Sequence, residues 1–152
     1  MRFAILRASY STHPDLTCAR DRDAVRAAGL VFGAYLFPVT DVGAPDPEEQ
    51  IEIYLASAGL IPGRDLPPVL DLEWPRGFAA TGRTRVGIGA WIARAVAAIR
   101  QAVGVNPLVY SSARVLDGPD VGALAGAANT VITGCPAWCA PADHRLPRAA
   151  AR

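Results

Sequence analysis

The chain contains no lysine. All 15 of its basic residues are arginine and they face 14 acidic residues, for a formal net charge of +1. Together with the abundance of alanine this reads as the coding bias of a GC-rich genome. A charge so close to zero creates no field that would draw nucleic acid or an anionic membrane, so neither is expected as a partner. Long apolar runs are also missing: none reaches the ~18–20 residues that cross a bilayer. The opening MRFAILRASY is short and broken by Arg7, so it reads as a strand rather than as a secretion signal. Cysteine is scarce and odd in number. Cys135 and Cys139 in CPAWC stand one residue too far apart for a C-x-x-C pair, and Cys18 is remote from both. His13 and His144 lie near different ends of the chain, so no metal site is expected and the three thiols read as free and buried or semi-buried. GRTRVGIG (82–89) lacks both G-x-G-x-x-G and the lysine of a P-loop, which argues against nucleotide binding; no cofactor is expected.

What is present points to one compact domain. With 152 residues, 51% of them hydrophobic and 19% charged, the chain can bury a real core and does not have the composition of a disordered segment. Apolar runs of strand length alternate with helical periodicity. FAILRASY (3–10), VFGAYLFP (31–38), PPVLDLEW (67–74), NPLVYSS (106–112) and NTVITGCPAWCAP (129–141) read as strands. Helices are expected over 20–30, 45–60 and 81–104, with a short one around 118–127, and glycines at 29, 59 and 104 mark the ends of the first three. Strand, helix, strand at this spacing means β-α-β units and a parallel sheet, as a barrel or an open sheet. The tail from 142 to 152 has no pattern and is expected to be unstructured.

The third strand carries the chemistry. A buried apolar run should avoid charge, yet Asp71 and Glu73 stand at its carboxyl end, where parallel α/β folds place their active sites. Side chains two apart on a strand share a face, with Cα atoms ~6.5–7 Å apart. Carboxylates at that distance push each other's pKa values apart, so that one can keep a proton near neutrality while the other is ionised. Glycoside hydrolysis uses such a pair: one acid protonates the leaving oxygen and one carboxylate faces the positive charge at the sugar carbon. If the pair works in such a reaction, Glu73 would be the proton donor, desolvated by the apolar Val69, Leu70 and Leu72. A divalent-metal pair, or a strand end capped by solvated charges, would use the same two residues. Tyr35, Phe37, Tyr110 and Trp138 also fall near strand ends, where aromatic faces make platforms for sugar rings; each could equally be core. Trp91, within the alanine-rich helix, reads as packing.

In order, RASYSTHPD, AVRAAGLVFGAYLFP, a helix containing Gln50, LPPVLDLEW, GVNPLVYSS and CPAWCA resemble the glycoside hydrolase family 25 lysozymes, which are N-acetylmuramidases. The resemblance covers residues 3–141. It implies a (β/α) barrel in which Glu73 is the catalytic acid and Asp71 its partner, with Tyr35, Phe37, Tyr110 and Trp138 lining the sugar groove. The implied substrate is the β-1,4 bond between N-acetylmuramic acid and N-acetylglucosamine in peptidoglycan, and with it an extracellular or cell-wall location. The family pattern also opens with a strand bearing a D-x-S aspartate and ends with a further acidic strand, and neither is matched here. The expected architecture is therefore a partial TIM-like barrel of five strands, with open edges that favour self-association. A non-catalytic remnant that binds wall glycan is the alternative function.

Overall fold

A computed structural model of the chain describes residues 2–73, 78–111 and 130–133. Ten elements were resolved in it: β1 (Phe3–Tyr10), β2 (His13–Pro14), α1 (Cys18–Ala27), β3 (Val31–Phe37), α2 (Pro47–Ala58), β4 (Val69–Leu72), a 3₁₀ turn (Phe78–Thr81), α3 (Arg85–Val103), β5 (Leu108–Ser111) and β6 (Thr130–Thr133). The strands form one sheet in the order β2-β1-β3-β4-β5-β6. All neighbours from β1 to β6 are parallel, and β2 alone is antiparallel. Five parallel strands in sequence order, the first four joined through helices, make the arc of a (β/α) barrel; the periodicity predicted the parallel sheet and the family resemblance the barrel. The two-residue β2 was not expected; His13 and Pro14 are too few to leave a period. The short helix expected at 118–127, most of the last expected strand and the tail lie outside the described residues.

Two faces of this sheet follow from strand alternation. One carries Phe32, Ala34, Leu36, Leu70, Leu72 and Val109, all essentially without exposure, against Ile51 and Tyr54 of α2 and Ile88, Ile92 and Ile99 of α3. Trp91 belongs to this core at 3% exposure, and so does the free thiol of Cys18, whose pKa is raised by burial. By length and composition α3 could cross a bilayer, although no run in the sequence read so; here its apolar stripe lies on the sheet. The other face bears Ile5, Arg7, Gly33, Tyr35, Val69, Asp71 and Tyr110. A Cβ on Gly33 would come within 3.0 Å of both Ile5 and Leu66, so glycine is what lets the strands close up on this inner side.

Local chemistry sets the element ends. Pro47 occupies the first turn of α2, Thr84 caps α3 by accepting from the Gly87 N–H at 3.1 Å, and Gly59 and Gly104 close α2 and α3 in the left-handed conformation. The Tyr54 hydroxyl, fully buried, stands between β3 and β4. It accepts from the Val69 N–H at 2.9 Å and donates to the Ala34 carbonyl at 2.7 Å, an extra rung supplied by a helix. The loop after β3 is held by side chains. Buried Gln50 accepts from the Val39 N–H (3.1 Å) and donates to the carbonyls of Val39 (2.8 Å) and Pro45 (2.9 Å), while Arg83 donates to the carbonyls of Thr40 and Asp41 and the Val42 N–H reaches the Thr81 carbonyl at 2.8 Å.

Candidate active site

At the carboxyl end of the sheet, Ile5, Tyr35, Val69, Asp71 and Tyr110 line an open cavity of about 280 Å³. Each comes from an inner-face position on one of four adjacent strands, which is why residues so far apart in sequence meet. Asp71 pairs in register with Tyr110 of β5, and Val69 pairs with Tyr35 of β3 and Leu108 of β5. Glu73 follows one pleat beyond Asp71, just past the end of β4, and is half-buried.

The electrostatics single out Asp71. Its Oδ1 is buried and has no hydrogen-bond partner among the described residues. Burial, and then the neighbouring Glu73 charge, push its pKa up from 3.8 to about 7. Asp71 is perturbed because the wall around that carboxyl is built by Ile5, Tyr35 and Tyr110 from three other strands. Both tyrosines feel the same carboxylates: burial and then Asp71 raise the Tyr35 pKa, and burial, Glu73 and Asp71 raise that of Tyr110. Arg7, paired in register with Tyr35, acts on that tyrosine in the opposite sense and makes an ion pair with Asp15 at 3.1 Å. Asp15 is held below its usual range by hydrogen bonds, first from the Thr17 backbone and hydroxyl and then from Arg7.

Of the residues expected at the site, Tyr35, Asp71 and Tyr110 share the cavity, and Glu73 adjoins it through its charge. Phe37 lies farther out on the same face of β3, stacked on a ring the sequence reading had not singled out, Tyr10. Their centroids are 5.6 Å apart and their planes 17° from parallel. Trp138 lies outside the described residues. Among those that are described, no group of three His, Cys, Asp or Glu side chains could hold a metal ion.

The family described as Glycosyl hydrolases family 25 matches residues 1–143 of this chain. The chain belongs to glycosyl hydrolase family 25. Solved structures of family 25 proteins share its fold. A family GH25 lysozyme from Aspergillus fumigatus is 26% identical, with a TM-score of 0.69 over 76% of this chain and 56% of that one. The bacterial lysozyme from Streptomyces coelicolor is 21% identical, with a TM-score of 0.73 over 90% of this chain and 68% of that one. The modular autolysin LytC from Streptococcus pneumoniae, solved with a synthetic peptidoglycan ligand, is 18% identical, with a TM-score of 0.59 over 75% of this chain and 27% of that one. No curated protein matches the chain. It thus spans little more than half the length of the fungal family 25 lysozyme.

Proposed function

We propose that this chain is an N-acetylmuramidase that hydrolyses the β-1,4 bond between N-acetylmuramic acid and N-acetylglucosamine in peptidoglycan. The observation that carries the reading is the Asp71 carboxyl in an aromatic-walled cavity, its buried Oδ1 without a hydrogen-bond partner among the described residues, with Glu73 two residues on along the same face. Membership of family 25 supports the reaction class, and the autolysin solved with a peptidoglycan ligand supports the substrate.

In the free chain burial keeps a proton on Asp71 up to about pH 7. A pyranose entering the cavity brings a carbon on which positive charge grows as its glycosidic bond stretches. That charge favours an ionised Asp71 and shifts that proton toward Glu73 at the mouth, where the leaving oxygen lies. Glu73 is then the acid, Asp71 the carboxylate that stabilises the sugar cation, and Tyr35, Phe37, Tyr110 and Trp138 the groove walls. Neither a metal nor a cofactor is needed for these steps.

Glu73→Gln keeps the shape and removes the acid. It is expected to cut the release of reducing ends from purified peptidoglycan by about 10²–10⁴-fold, the usual worth of a positioned general acid, while retention on insoluble wall persists. A variant that kept most of the cleavage rate would remove Glu73 from this role.

A further inference from the structure

We infer that Tyr10, stacked on Phe37, is a specificity-determining contact for the sugar unit next to the one being cleaved. This rests on the glycan reading above. Three features of the backbone aim the ring there. Simple alternation along β1 would put Tyr10 with Ala4, Leu6 and Ala8 on the face that packs under the helices. A β-bulge intervenes: Arg7 pairs with Tyr35, but Ser9 pairs with Leu36 and Tyr10 with Phe37, so one residue of β1 is skipped and the parity reverses. Ser11 then adopts a left-handed φ of 51° and donates its N–H to the Phe37 carbonyl at 2.9 Å, which fixes the strand end beside β3. Asp15 closes the turn by donating its N–H to the Ala8 carbonyl at 2.8 Å.

The outcome is an aromatic ring on the groove face that stays 47% exposed although it is stacked. A ring re-aimed only for packing would be covered. Tyr10 lies two strands from β4, roughly 10 Å from Asp71 at the usual strand spacing. That is beyond the sugar whose bond breaks and within reach of its neighbour. The apolar step made by Tyr10 and Phe37 fits the C–H face of a pyranose, and with Arg7 already paired to Asp15 the ligand it takes there is neutral sugar rather than a charged stem.

The test uses the full chain and peptide-stripped glycan strands, with Kd read in a Glu73→Gln background and kcat and KM read in the parent. Tyr10→Ala is expected to weaken Kd and raise KM by about 5- to 10-fold, the size of one aromatic contact, with kcat and Tm little changed. Tyr10→Phe should stay within about twofold of the parent, since the ring rather than the hydroxyl makes the contact. Unchanged KM and Kd in Tyr10→Ala would overturn the inference and leave the muramidase reading standing. So would a loss of kcat in step with Tm, which makes the ring structural, or an effect seen only on peptide-bearing strands. Loss of cleavage with binding intact in the parent protein would fall on the muramidase reading alone, because the ratio of Kd values still decides the role of Tyr10. A parent that neither binds nor cleaves overturns both.

Discussion

Asp65 and Asp71 bracket the same strand, one below it and one at its upper end, and both carboxyls are buried at one oxygen that has no partner among the described residues. Their surroundings separate them. The Asp65 side chain is 1% exposed; it accepts from the Arg26 guanidinium and from the Ile61 N–H at 2.8 Å. Arg26 in turn lies over the Phe32 ring and donates to the Gly59 carbonyl at 3.1 Å, so the pair ties the end of α1 to the turn that leads into β4. Among the described residues, Asp71 has no cation beside it. It has a cavity, two tyrosines and another carboxylate. The same side chain, six positions apart, is a staple where a guanidinium accompanies it into the interior and a proton-holding group where none does.

The contrast is sharpest in activity. Asp71→Asn should lower cleavage by at least about 100-fold with no loss of folded protein, if its charge is what the reaction uses; a variant that loses activity only by unfolding would erase the distinction. Asp65→Asn should do the reverse. It leaves the Arg26 charge buried without its counterion, at a cost of about 3 kcal/mol, or a fall in Tm of roughly 10 °C for a chain of this size. Activity per folded molecule should be unchanged, as measured at a temperature below both transitions. Between the two aspartates, Tyr54→Phe removes the hydroxyl shared by Val69 and Ala34 and should cost about 1–2 kcal/mol in urea unfolding, again with little effect on turnover.

The smallest expected effect concerns pH. Between its ordinary value of 3.8 and about 7, Asp71 holds a proton in the folded chain that it has released in the unfolded one. The folded state therefore binds more protons across this window, and stability falls as pH rises through it. Asp71→Asn removes that dependence: the variant should melt a few degrees above the parent at about pH 8 and close to it at about pH 4. An equal gap at both pH values would mean that burial of Asp71 had been misjudged.

Much of this was legible in the sequence because it is local. PPVLDLEW announces a strand by its apolar run and a site by its two acids, and glycines at 59 and 104 stop their helices where the backbone turns left-handed. What escaped depends on partners brought from elsewhere. The Arg26–Asp65 pair spans 39 residues. The depth of Asp71 was set by walls from β1, β3 and β5, which no pattern within PPVLDLEW reveals. Tyr10 was missed for a different reason: a bulge inverts the parity on which any assignment of strand faces relies, and nothing in RASY marks it.

The stretch from Val39 to Val42 has no regular structure, yet Gln50, Arg83 and the Thr81 carbonyl take up its backbone groups much as a neighbouring strand would. This has a consequence for how the protein can be lengthened. Extra residues between 39 and 42 would break bonds that converge from two separate elements and would disturb the rim next to Phe37. At Gly43, exposed, left-handed at φ +84° and with open space where a side chain would sit, an insertion opens only the turn bond from the Ala44 N–H to the Asp41 carbonyl. Variation in length, and any added epitope or domain, is better accommodated at Gly43 than between Val39 and Val42.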